Sequence, residues 1–131
     1  MARDGDPGEQ FGPHGRQPRL ALRGFLLLLL AEHPAHGYDL VERLQVLGVH
    51  IDEPAAVYKA LRHMDQEHLV TTAWKLSSHG PTRREYSLTA EGREQLEDWV
   101  LLVRESRDTL GRCLDHYERL NDTGRRNGTS H

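Results

Sequence analysis

Cysteine is almost absent. Cys113 stands alone in 131 residues, which excludes an internal disulfide framework and a cysteine-rich zinc site and fits a reducing, cytoplasmic setting. Aromatic residues make up only 6%, which disfavours a single-strand binder built on stacked bases. The longest apolar run, Phe25 to Ala31, is far short of the ~20 residues that span a bilayer. It does not read as a signal peptide either, because the stretch before it is long and carries acids as well as arginines. No Gly-x-Ser-x-Gly turn, His-Glu-x-x-His helix or phosphate-cradling glycine loop occurs. The sequence therefore points away from an enzyme. Nine histidines invite a metal, but His33 and His36 straddle Pro34, and His63 and His68 are five apart, the wrong spacing for one helical face. Neither a metal nor any other cofactor is expected, and no membrane partner.

What is present is a separation of charge. The net charge is −3, which by itself argues against nucleic acid. Between Pro54 and Arg84, however, five cations (Lys59, Arg62, Lys75, Arg83, Arg84) face two acids, Asp65 and Glu67. Residues 89–120 hold five cations against eight acids. A basic middle and an acidic end imply two faces with different partners.

Gly, Pro and Arg without periodicity predict a flexible arm over residues 1–19. Leu20 to Glu32 reads as a helix that is apolar nearly all round, so it needs cover on more than one face. Pro34 stops it. A second helix is expected from Gly37 to Leu47, with Tyr38, Leu40, Val41, Leu44 and Leu47 inward and Gly48 as its stop. In His36-Gly37-Tyr38, the histidine is expected to satisfy the helix start, the glycine to allow a close approach and the tyrosine to pack. A third helix starts at Pro54, which fits the first helical position, and runs to about His68 with Val57, Leu61 and Met64 buried. Its other face carries Ala55, Tyr58, Lys59, Arg62 and His63.

Strands Val70–Lys75 and Arg83–Leu88, joined by a turn-rich segment with His79, form a hairpin. Trp74 is expected to be core or wing support. Thr89 then caps a helix reaching about Leu120, at about 1.5 Å per residue close to ~50 Å long. Its seam repeats every seven residues: Leu96, Val103, Leu110 and Tyr117, with Trp99, Ser106, Cys113 and Leu120 beside them. Such a seam is a signature of helix–helix packing, and a helix that long needs a second chain to cover it. Cys113 reads as a small seam residue. The tail over residues 121–131 is polar and expected to be disordered.

The fold class is mainly α with a small β-hairpin (α+β): a winged helix-turn-helix over residues 20–88 and a dimerisation helix over 89–120. In that arrangement the third helix enters the major groove and the wing reaches backbone or minor groove. Arg62 can fork onto guanine O6 and N7. Lys59 suits phosphate, and Ala55 and Ala56 allow close approach to base edges. With Tyr58, His63 and the wing residues Lys75, His79, Arg83 and Arg84, these are the expected contacts to double-stranded operator DNA. A different class remains open, a winged-helix protein-interaction module that dimerises without touching DNA. The cations on both the third helix and the wing favour DNA.

Three clusters resemble PadR-type transcriptional regulators: Leu26 to Ala31 with His36-Gly37-Tyr38-Asp39-Leu40; Pro54 through Val57-Tyr58-Lys59-Ala60-Leu61-Arg62 to Leu69-Val70; and Gly80-Pro81-Thr82-Arg83-Arg84-Glu85-Tyr86-Ser87-Leu88-Thr89 with Gly92. The resemblance spans about residues 20–118 and looks like the short subtype with one C-terminal helix. It implies a homodimeric repressor on an inverted repeat, released by a small compound. Two departures concern the reading helix. Ala55-Ala56 stands where many relatives have Gly-Thr, and Lys59 where many have proline, so operator sequence does not carry over. A planar aromatic effector is expected beside the seam at Leu96, Trp99, Val100 and Val103, because tryptophan faces reward stacking.

The seam generates a direct test. Light scattering should give twice the chain mass at micromolar concentration, and Val103→Glu or Leu110→Glu should dissociate or unfold the protein by burying an unpaired charge.

Overall fold

The computed structural model describes residues 21–77 and 80–129. The arm expected over 1–19, and His79 among the expected DNA contacts, lie outside the described residues. The chain forms α1 (Leu22–Glu32), β1 (Ala35–His36), α2 (Gly37–Leu47), α3 (Pro54–Gln66), β2 (Val70–Ser77), β3 (Gly80–Leu88) and α4 (Ala90–Thr129). It is an α+β winged helix with a small antiparallel sheet in the order β1-β3-β2.

It divides into two compact units, Met1–Trp99 and Val100–His131. The division falls inside α4, eleven residues beyond the expected one between Leu88 and Thr89, because the first turns of α4 belong to the winged unit. Leu96 is buried there, and the Trp99 ring meets Phe25 edge-on, with centroids 5.0 Å apart. The second unit consists of the remaining α4 turns.

The core of the winged unit is aliphatic. Leu26, Leu27, Leu29 and Leu30 of α1 are buried with Leu40, Val41 and Leu44 of α2 and Val57, Leu61 and Met64 of α3. Burying one such side chain contributes about 1.5–3 kcal/mol. Two residues expected inward on α2 are not: Tyr38 is 57% exposed and Leu47 half exposed. Both lie at the ends of the helix, where the stripe runs past its partners. The C-terminal end of α1 carries no basic residue of its own. Arg43 reaches over from α2, donates to the Leu29 carbonyl at 2.9 Å and pairs with Glu32, placing positive charge where the helix dipole is negative.

The helix ends follow local chemistry. Gly48, at φ +98°, closes α2. The corresponding residue after α3 is His68, at φ +64°, and the Leu69 N–H returns to the Met64 carbonyl at 2.8 Å. This turn ends α3 at Gln66 rather than His68. The Thr89 hydroxyl accepts the Gly92 N–H at 2.9 Å and lies within hydrogen-bond distance of the His68 and Leu69 carbonyls. One side chain thus caps α4 and ties it to the turn before β2.

The hairpin is longer than expected, with pairing out to Ser77↔Gly80 and a register irregularity between Lys75 and Ser77. A third strand went unforeseen: Ala35 and His36 pair with Tyr86 and Glu85. Two residues after a proline carry no readable period, and only the edge of β3 makes them a strand. Where the sequence leads to the expectation of a disordered tail from Asn121, α4 runs on to Thr129. No proline follows Pro81, and polar residues and glycine raise the cost of a helix without breaking its ladder.

Gly24 is the tightest point of this packing. A Cβ there would overlap the Trp99 indole, so α1 and the start of α4 approach closely only with hydrogen at that position. Gly24→Ala should lower stability by about 1–3 kcal/mol, as overpacking does, read as a reduced Tm with loss of near-ultraviolet dichroism.

Candidate nucleic-acid interface

Burial sets the orientation of α3. Val57, Leu61 and Met64 are fully buried, and residues at i, i+4 and i+7 share one helical face. Tyr58, Lys59, Arg62 and His63 are therefore turned outward, and all four are exposed, as is Ala55 in the first turn. Pro54 occupies the first turn, as expected, while Glu53 contributes no side-chain cap.

The β2–β3 register arranges the wing. Val70 lies opposite Leu88, Thr72 opposite Tyr86 and Trp74 opposite Arg84, so these pairs share one face. Ala73–Glu85 and Lys75–Arg83 alternate with them on the other. The wing cations are thus divided, with Arg84 on the Trp74 face and Lys75 and Arg83 on the opposite one. The Arg84 guanidinium sits 5.4 Å from the centre of the Trp74 ring, a cation–π distance.

Helix and wing flank an open cavity of about 610 Å³ lined by His36, Gly37, Tyr38, Tyr58, Arg62, Trp74, Arg83, Arg84 and Tyr86. Of the expected DNA contacts, Tyr58, Arg62, Arg83 and Arg84 meet there. Ala55, Lys59, His63 and Lys75 are exposed outside its wall. Tyr38, Trp74 and His36 are additions that the sequence reading missed. Trp74, expected as core or wing support, is 66% exposed: Val70 and Tyr86 on the same face are buried, and Trp74 stands further along the hairpin, past them. A signal existed: pairing 70–75 with 83–88 already sets Trp74 across from Arg84. His36 does not cap α2 with its side chain. Its backbone is taken by β3, and its Nδ1 is buried without a partner.

The four residues expected to seat an effector do not line this cavity. Leu96 is core, Trp99 packs on Phe25, and Val100 and Val103 are half-exposed. Among the described residues, no three His, Cys, Asp or Glu side chains gather as a metal-holding group, and no helix is long and apolar enough to cross a membrane.

The model of the transcriptional regulator PadR-like family matches residues 26–98. A PadR-like transcriptional regulator from Bacillus cereus is 30% identical, covers 71% of this chain and 90% of its own, and superposes with a TM-score of 0.65. A PadR family transcriptional regulator from Eggerthella lenta is 29% identical over 70% of this chain and 83% of its own, TM-score 0.57. Bacillus subtilis PadR, solved in complex with operator DNA, shares the fold at 22% identity and a TM-score of 0.55, covering 60% of this chain and 46% of that one. No curated protein matches the chain.

Gly37 makes room for Tyr58 beside the cavity. A Cβ on Gly37 would overlap the Tyr58 ring, so the close approach expected of this glycine is made by the α3 tyrosine. Gly37→Ala should displace that ring and weaken duplex binding several-fold while the protein still melts cooperatively. Fluorescence anisotropy beside a thermal melt separates the two effects.

Proposed function

The chain belongs to the PadR-like family of transcriptional regulators, and we propose that it acts as a homodimeric, ligand-responsive repressor that reads an inverted repeat through α3 and the wing. The observation that carries this reading is the division of α3 into a buried apolar stripe and an outward face bearing Tyr58, Lys59, Arg62 and His63. A groove reader needs that face and a basic wing beside it, and Arg84 lies with Arg62 along one cavity. Arg62 has the planar fork for a guanine edge. Lys59, on the adjacent column, suits phosphate, as do Lys75 on the opposite face of the wing and Arg83, which also lines the cavity.

Dimerisation is supported by α4. Leu110, Leu114, Tyr117 and Leu120 are all more than half exposed in the single chain, and an apolar series of that length on one helix calls for a partner helix. Leu114 extends the expected seam, standing four residues after Leu110 and three before Tyr117. A two-fold dimer then presents two reading helices, which must sit about 34–36 Å apart to enter successive major grooves.

The test is anisotropy with a labelled duplex from upstream of the protein's own coding region. Arg62→Ala should weaken binding by about 1–3 kcal/mol and flatten the preference between operator and scrambled duplex. Lys59→Ala should weaken both duplexes alike and reduce the salt slope by about one. If neither substitution changes binding, α3 is not the reader. If no duplex binds even at low salt, the protein-interaction reading takes its place.

A further inference from the structure

We propose that the acidic N-terminal residues 4–9 fold back onto the outward face of α3 in their own chain, where they hold the arginines of the interface and compete with a duplex. The competition rests on the DNA-binding reading above, whereas the docking does not. Asp4, Asp6 and Glu9 fall within six residues that contain no cation. The face of α3 and the wing has the opposite balance. Arg62 and Arg84 line one cavity, and no described acidic side chain lines it with them. Among the described residues no carboxylate pairs with either arginine, or with Lys59. A guanidinium forks onto a carboxylate as readily as onto a phosphate, so the side chains that suit a DNA backbone also suit this segment.

The chain enters the fold beside this face. Arg23, in the first turn of α1, pairs with Glu67 at the end of α3. Arg62 lies five residues before Glu67, which is about 7.5 Å along the helix axis. Lys59 is one turn further. Residues 10–20 join Glu9 to Ala21, and at ~3.3 Å each they reach about 36 Å, more than the ~20 Å length of α3. The tether therefore spans the gap with slack. A segment so tethered is present at about millimolar effective concentration. Docking raises the apparent Kd of a duplex by one plus that concentration over the segment's own dissociation constant, so even a submillimolar contact is felt. Because the contact is ionic and exposed, salt should weaken it.

Lys59 and Lys75 are the only lysines in the chain, so a zero-length carbodiimide, which joins a carboxylate to an amine it touches, reports the docking directly. In the full-length protein without DNA, mass spectrometry should find Asp4, Asp6 or Glu9 joined to Lys59, and the product should run at the single-chain mass on a denaturing gel. Arg62→Gln combined with Arg84→Gln leaves Lys59 in place and should abolish the cross-link, as should raised salt. Both arginines are exposed, so circular dichroism should show that variant folded. With labelled duplex at low salt, the triple variant Asp4→Asn, Asp6→Asn, Glu9→Gln should bind about fivefold more tightly than wild type, and the gap should close as salt rises. Asp115→Asn, Glu118→Gln and Asp122→Asn, all on α4, change the net charge equally and should give no such gain. No cross-link to Lys59, one that survives loss of both arginines, or one found only at twice the chain mass would overturn the docking. An α4 variant that gains as much as the N-terminal one, or an N-terminal variant that gains nothing while wild type binds duplex, would overturn the competition and leave the DNA reading intact. The cross-link in a protein that binds no duplex, with or without its N-terminal acids, would overturn the DNA reading and keep the docking.

Discussion

Full burial of Val57, Leu61 and Met64 is the constraint on which the interface depends. Three side chains at i, i+4 and i+7 leave α3 one rotational setting, and any other would bring Lys59 or Arg62 into an aliphatic core without a counter-charge. The outward face is therefore a consequence of packing. The exposed residues of α3 are those the core does not take.

The wing is held to that helix by backbone as much as by side chains. β3 pairs with β2 on one edge and with Ala35–His36 on the other. The short strand leads directly into α2, whose first residue, Gly37, admits the Tyr58 ring. Thr89 joins the opposite end of the hairpin to α4 and to the turn after α3. The surface ion pair Arg23–Glu67 adds a link between α1 and the end of α3, but both partners are well exposed, so its contribution is small.

Much of this was legible along the chain. Pro54, Gly48 and Thr89 mark ends because each satisfies a local backbone requirement that needs no distant partner. The buried residues of α3 follow from period alone, and the opposing cations from their spacing. Less legible were features that depend on distant segments. β1 has two residues and no pattern, and Tyr38 and Trp74 look like core residues by type. Leu96 and Trp99 read as part of the α4 seam, because nothing in their own segment shows that Gly24 and Phe25 come to meet Trp99.

The sequence by itself determined the order of the helices and the hairpin, the rotation of α3 and the apolar repeat of α4, since these arise from interactions within a few turns of backbone. Only the tertiary structure decided that Arg62, Arg84, Trp74 and Tyr38 share one cavity. That cavity lies between a helix and a hairpin joined through the turn at His68, and a gap between two elements has no period in either of them.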